Sequence, residues 1–564
     1  MRTSRRMLGQ IRRAVFVAFL FSGCINILML AMPLYTLQIF ENVVPVGSVE
    51  TLFVLSALIA CSIAALAMVE IARDRIMLRA GTWIEHELGQ HILDNGLKHG
   101  ATSAELISDA RALMRLRAFL TSPAINPLFD APFVPLFVLI LVALHPLIGL
   151  LAAGAAGILL VIAALHTMMT ERLHQETAQS SERAEQWWTT VAGYGHLCGA
   201  LGIGHGASGR WEWFNRAQIA SSYSLGKRSG FAKVLARTVR LGAQSAVYGL
   251  GAWLVIGGEL TPGALVASAI LISRVVGPIE QLVGSMKAIR TAWGSYRRLK
   301  ALPVDAAVPE FNDADAAPAG AISLNHVVVH HPGRKAAALR GITLDIAPGS
   351  SLAIVGPNGA GKSTLAAVIS GAICPTSGSA DLDGLPVYKW QRWDGLPPVG
   401  FAPDEPALLE GSVHENIARF REASLMSVGA AALKAGVHGI LQALPDGYDA
   451  KVGPQGRFLS LSERRAVALA RAFHGTPCVV VLDEPEAGLD GAQMRTLMES
   501  LGALKASGTG IVIATQDPRL IRLADNVAVL AQGSLVSLQP AASLLKSYDG
   551  TRSGQPAAEA VGFR

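Results

Sequence analysis

Charge is scarce in this 564-residue chain: Asp, Glu, Lys and Arg make up only 16% of it, where soluble domains carry about a quarter. With 51% hydrophobic residues and a positive mean hydropathy, that scarcity excludes a wholly soluble protein and points to segments that sit in lipid. Cysteine is scarcer still. Five are present (Cys24, Cys61, Cys198, Cys374 and Cys478), none in a Cys-x-x-Cys pair, so neither a disulfide framework nor a zinc site is readable. Also missing is any basic stripe interleaved with aromatics, so the net charge of +6 does not mark a nucleic-acid surface, and no nucleic-acid partner is expected. Internal repeats are absent, and the one biased stretch is a polar tail after Tyr548.

What the chain does have is long apolar runs. A helix needs about 20 apolar residues to cross a hydrocarbon core about 30 Å thick. Residues 15–35 and 51–69 meet that directly. Residues 131–165 are too many for one span, and His145-Pro146 divides them into 131–144 and 147–165, because proline disfavours helix just before itself. Residues 241–257 and 264–283 make the last pair, with Arg274 and Glu280 inside the sixth. Ionisable residues in a span usually face a cavity or the bundle interior. At the N-terminus, Arg2, Arg5, Arg6, Arg12 and Arg13 precede an apolar run in the manner of a signal peptide. That run is longer than a signal core and lacks a clear cleavage site, which predicts a retained first membrane helix.

Orientation follows from where the basic residues lie. The connectors 36–50, 145–146 and 258–263 contain no Lys or Arg, whereas the N-terminus, 71–130, 166–240 and everything after 283 contain many. The positive-inside rule then predicts both termini and both long connectors in the cytoplasm. Those connectors are expected to continue the membrane helices, since about 60 structureless residues would be unusual. The segment 303–320 turns rich in Ala, Pro and Asp and reads as a linker. Beyond it, short β-rich runs alternate with helical ones, as in a parallel sheet with crossover helices. The expected division is a six-helix membrane domain over 1–302, a linker over 303–320, an α/β phosphate-loop domain over 321–548 and a polar tail over 549–564.

One motif dominates the second half. Gly356, Pro357, Asn358, Gly359, Ala360, Gly361, Lys362, Ser363 and Thr364 follow an apolar strand and precede a helical stretch, the context a phosphate-binding loop requires. Glycines let backbone N–H groups turn onto phosphates, and the helix N-terminus adds partial positive charge. Lys362 would reach the β- and γ-phosphates of ATP, and the Ser363 hydroxyl would coordinate Mg²⁺. About 120 residues later, the apolar run from Cys478 ends in Asp483-Glu484-Pro485 and leads into Ala487-Gly488-Leu489-Asp490. Asp483 is placed to hold Mg²⁺ through water, and Glu484 to orient or deprotonate the attacking water as the catalytic residue.

These motifs resemble ATP-binding cassette (ABC) exporters, and within them the type I secretion permease/ATPases that export repeat-in-toxin proteins, proteases and lipases from Gram-negative bacteria. The resemblance covers nearly the whole chain. In the membrane half it rests on Met32-Pro-Leu-Tyr35, Phe119-Leu-Thr-Ser-Pro, Leu128-Phe-Asp-Ala-Pro132, Leu144-His-Pro, Gly258-Glu-Leu-Thr-Pro-Gly-Ala264 and residues 270–281. It implies one half of a transporter, working as a homodimer or with a paralogous half in a bacterial inner membrane. The implied partners are a periplasmic membrane-fusion adaptor, an outer-membrane channel protein and an exported polypeptide. About 14 residues precede the first span, which leaves no room for a peptidase-like domain and implies a cargo with an uncleaved C-terminal signal. A small-molecule or lipid exporter of the same architecture, or a degenerate ATP-binding half supporting an active paralogue, are the alternatives.

Three motifs depart from the family. The signature Leu-Ser-Gly-Gly-Gln reads Leu459-Ser460-Leu461-Ser462-Glu463, with Ser460 the implied phosphate contact. The glutamine that links the catalytic site to the membrane domain aligns with Asp404, and the histidine after the last core strand with Gln516. All three are expected at the nucleotide, with hydrolysis reduced. His330 and His331 are the candidates for stacking on adenine.

Overall fold

The computed structural model describes residues 2–99, 103–302, 318–331, 333–334, 336–390 and 396–544. It divides into two compact units, Met1–Ala306 and Ala307–Arg564. Most of the expected linker (303–317) and the whole expected tail (549–564) lie outside the described residues.

Among its described residues the first unit is built of helices and the turns between them. Its main helices are α1 (Arg2–Leu28), α2 (Ala31–Gln38), α3 (Val49–His99), α4 (Ser103–Leu120), α5 (Val134–Leu144), α6 (Pro146–Gly193), α7 (Gly204–Ile256) and α8 (Pro262–Lys300). Among the described residues, six stretches are long and apolar enough to cross a membrane. At 1.5 Å per residue, the 48 residues of α6 and 53 of α7 make rods of about 70 and 80 Å, more than twice the hydrocarbon thickness, so both continue far beyond it. The turns are set by caps and prolines. His145 leaves helical geometry, its Nδ1 accepts the Leu147 N–H at 3.3 Å, and Pro146 opens α6. Thr261 accepts the Ala264 N–H at 3.1 Å ahead of Pro262.

Two differences from the sequence reading have local causes. The first span is interrupted by a turn at Met29–Leu30, just ahead of Pro33, which has no N–H to donate back to residue 29. The third spanning stretch begins at Pro123 rather than at 131, because Pro123, Pro127 and Pro132 each open a short helical turn that leads into α5.

Small residues let these helices approach closely. A Cβ on Gly149 would lie 2.7 Å from the Cα of Val142, so only glycine fits where α6 folds back on α5. Phe137, Leu141, Ile148, Leu159, Val247, Ile272 and Val276 fill the core around this hairpin. One buried polar cluster ties three of these segments together. Arg73 on α3 donates to Ser22 Oγ at 2.9 Å and lies 3.7 Å from Asp130, which also accepts from Ser22 and Asn26 of α1. Within the sixth span, Glu280 forms an ion pair with Arg240 of α7 at 2.6 Å, while Arg274 is half-buried.

The second unit holds two sheets. An antiparallel sheet has the order β2 (Leu339–Ile346), β1 (Ile322–Val329), β4 (Ser377–Leu382), β5 (Leu385–Pro386). The other has the order β10 (Ser534–Pro540), β9 (Asn526–Ala531), β3 (Ser351–Val355), β8 (Gly510–Ala514), β7 (Val479–Asp483), β6 (Val399–Ala402). Only β10 runs antiparallel in it. Both faces of the parallel strands are covered, so β7 and β8 are buried at every residue and read as continuous apolar runs rather than alternating ones. Helix α9 (Lys362–Ile369) follows β3, α10 (Leu461–Phe473) packs on β6, and α11 (Gly491–Ala506) follows β7.

Candidate nucleotide site

The carboxyl ends of β3, β7 and β8 meet at one edge of the parallel sheet, where open α/β sheets bind ligands. The loop from Gly356 to Gly361 joins β3 to α9 there. Its glycines are required by space as much as by torsion. A Cβ at Gly356 would run into the Leu530 carbonyl oxygen, and one at Gly361 (φ +103°) would lie 2.9 Å from the Ala338 carbonyl oxygen. Gly359 (φ +80°) has nothing within 4 Å of a Cβ, so the loop is open on that side. Lys362 is 5% exposed, and its Nζ donates to the Gly356 carbonyl oxygen at 3.1 Å, so the ammonium lies back over the loop.

Asp483 closes β7 directly beside the start of α9. It is 5% exposed, and its Oδ1 is buried without a hydrogen-bond partner. Burial raises its carboxyl above the usual carboxylate range. The charges of Glu484 and Asp404 add to that, against the pull of the Ser363 hydroxyl and Lys362. A buried carboxylate oxygen with no partner, next to a serine hydroxyl and short of positive charge, fits a hard divalent cation such as Mg²⁺. Glu484 follows in a left-handed conformation (φ +48°), a strained geometry for a side-chain-bearing residue. Its N–H donates to the Ala514 carbonyl oxygen at 2.8 Å, which holds that conformation. Beyond it, Asp490 caps α11 by accepting the Ala492 and Gln493 N–H groups, each at 2.8 Å.

A cleft of about 570 Å³ opens over this edge, lined by His331, Asn358, Lys362, Ser363, Thr364 and Glu484 among others. His331 stands in it with Nε2 3.3 Å from Thr364 Oγ1, whereas His330 is absent from the lining and donates its N–H to Thr376 Oγ1 at 3.0 Å. Gln516 reaches the phosphate loop, donating from Nε2 to Asn358 Oδ1 at 3.0 Å.

The remaining sequence candidates lie on α10 and beside it. Ser460 is the N-cap of α10, and no hydrogen bond among the described residues joins it to the loop 356–364. Its Oγ accepts the Glu463 N–H at 3.3 Å, while its own N–H donates to Glu463 Oε2 at 2.7 Å, a reciprocal capping box. Asp404, after β6, is ion-paired with Arg465 of α10, whose Nε also donates to the Asp404 carbonyl oxygen at 3.2 Å. Sequence reasoning missed Arg465. Its signal was the doublet Arg464-Arg465 just past the altered signature, together with an acid at 404 that needed a partner.

Comparison with known proteins points to the family. The family model for ABC transporters matches residues 339–487, which include the phosphate loop, Asp483 and Glu484. The type I secretion system ATP-binding protein PrsD of Rhizobium meliloti (strain 1021) is 28% identical over 547 residues, covering 94% of this chain and 92% of that protein. The chain thus carries an ABC transporter domain and, over nearly its whole length, is similar to the ATP-binding proteins of type I secretion systems. The cyclolysin secretion/processing ATP-binding protein CyaB of Bordetella pertussis is 26% identical across 93% of this exporter and 75% of its own length. The structure of a bacterial Atm1-family ABC exporter with ATP bound superposes on this exporter with a TM-score of 0.79. It covers 98% of this chain and 99% of the other at 21% identity, a likeness of fold. The exporter is thus a six-helix membrane protein with an ABC ATPase domain coupled to transport.

Proposed function

We propose that this exporter moves a polypeptide with an uncleaved C-terminal signal out across the bacterial inner membrane. It works as one half of a dimer, with both termini and the ATPase domain in the cytoplasm. A periplasmic membrane-fusion adaptor and an outer-membrane channel protein complete the route. The observation that carries the ATP-driven part is the unpartnered, buried oxygen of Asp483 beside Ser363 at the foot of the phosphate loop. The backbone of Gly356–Thr364 would cradle the phosphates, Lys362 would swing from the Gly356 carbonyl to the β- and γ-oxygens, and Gln516 would steady the loop through Asn358. Ser363 and Asp483 would hold Mg²⁺, which would supply positive charge to the phosphoryl oxygens. Glu484, held toward the cleft by its strained backbone, takes the proton of the attacking water. The polypeptide cargo rests on likeness to secretion proteins over nearly the full chain.

Deleting the gene should make one or more polypeptides disappear from the culture medium and accumulate in cells, and a copy carrying Glu484→Gln should not restore them. A medium proteome unchanged by the deletion would sink the protein-cargo reading and leave a small molecule or lipid as cargo. A second reading, a half that supports an active paralogue, is favoured by the capping box that engages Ser460 with its own Glu463. Purification of the tagged chain with a stoichiometric second ABC half would support it; recovery as a homodimer would not.

A further inference from the structure

The position that aligns with a neutral glutamine in the family is Asp404 here, so the site holds a third carboxylate beside Asp483 and Glu484. All three line one small cavity of about 20 Å³, and the single cationic side chain lining it is Arg465. As the side chains stand, no three acidic groups among the described residues are placed to hold a metal ion together; were Asp404 free to turn toward the buried, unpartnered oxygen of Asp483, the three carboxylates would offer converging oxygen ligands to a hard cation even without nucleotide. A site that fills with the cation alone has to be cleared or rearranged each time nucleotide enters.

Arg465 counters this geometrically. It grips Asp404 twice, by the ion pair to the carboxylate and by the 3.2 Å bond from Nε to the backbone carbonyl. The guanidinium is three-quarters buried and projects from the second turn of α10, so one helix fixes both its position and its direction. A planar guanidinium bonded at two points restrains a carboxylate far better than a flexible ammonium would.

We propose that Arg465 is a positioning residue of the magnesium site, holding the Asp404 carboxylate off the cation so that the nucleotide-free site does not trap Mg²⁺. This rests on the assignment of Asp483 to Mg²⁺. Arg465 acts through Asp404, the residue its guanidinium holds.

The test is the thermal stability of the full-length protein in lipid nanodiscs, titrated with MgCl₂ and no nucleotide. Arg465→Gln should stabilise with Mg²⁺ at concentrations roughly tenfold lower than the wild type requires. Arg465→Lys, keeping charge but losing the two-point grip, should fall between them. Asp404→Gln/Arg465→Gln should return to the wild-type response, which a merely structural role for Arg465 would not produce. Equal Mg²⁺ responses in wild type and Arg465→Gln would overturn the proposal, as would a double variant that behaves like Arg465→Gln alone. If Arg465→Gln fails to fold, Arg465→Lys decides, and a response no tighter than the wild type's overturns it. Asp483→Asn added to Arg465→Gln should abolish the response. If it persists there, the assignment of Asp483 has failed rather than the role of Arg465.

Discussion

Glu463 makes both of its described hydrogen bonds with the cap of its own helix, so its charge sits at the N-terminus of α10, where the family presents a glycine pair to phosphate. Negative charge there competes with a triphosphate for the same N–H groups and the same end of the helix dipole. Glutamine keeps an acceptor for the Ser460 N–H and removes the charge. Glu463→Gln is therefore expected to raise ATP hydrolysis by about two- to tenfold while changing stability by less than about 0.5 kcal/mol; steady-state ATPase and thermal unfolding check it. Cys478 offers a second test at this scale. Burial, reinforced by the negative charge of Asp383, pushes its thiol up to about 11. At pH 8 only about one molecule in a thousand carries the thiolate, the reactive form. Iodoacetamide at that pH should label exposed Cys374 well before Cys478, and raising the pH toward 10 should narrow the gap, as read by peptide mass spectrometry.

Elements in the membrane unit depend on a few paired polar groups. Arg73 is buried among α1, α3 and the short helix Asn126–Asp130; Asp130 is the carboxylate that meets it inside the bundle at 3.7 Å, while its second acidic neighbour, Asp74 at 3.6 Å, is exposed to the surroundings. Removing one partner of such a pair leaves the other charged and unpaired, at a cost of about 3–5 kcal/mol. Asp130→Ala should accordingly lower the unfolding temperature in detergent sharply, whereas Arg216→Ala, which breaks an exposed pair with Glu212, should change it little. Sequence periodicity could not have found this cluster, because residues 22, 73 and 130 come together only once three helices pack. The break at Met29–Leu30 had a signal in Pro33, but an uninterrupted apolar run masked it. The phosphate loop was readable for the opposite reason: nine consecutive residues carry the whole function, and flanking strand and helix patterns fix their context. Asp404 and Arg465 stand 61 positions apart, and only the packing of α10 on β6 makes them neighbours.

At the scale of the whole molecule, the chain joins a six-helix membrane unit to an ATPase unit whose sheet edge carries the proposed site residues Lys362, Ser363, Asp483 and Glu484, with departures from the family pattern at 404, 461–463 and 516. The six spans were legible because hydrocarbon thickness sets a length that composition alone must satisfy, whereas their proposed direction rests on the charge between the spans. The consequence of the three departures was not legible, since it depends on which neighbours the new side chains acquire: Arg465 for Asp404, the Ser460 cap for Glu463, Asn358 for Gln516. Each is satisfied within the same ATPase unit, which fits an altered but working site. The most direct measurement is the ATPase rate of the purified full-length protein in lipid, wild type against Glu484→Gln, at saturating Mg-ATP. A slow wild-type rate that Glu484→Gln lowers by at least about a hundredfold is the expected result. Equal rates in the two proteins would contradict Glu484 as the catalytic residue and the exporter as a working ATP-driven half.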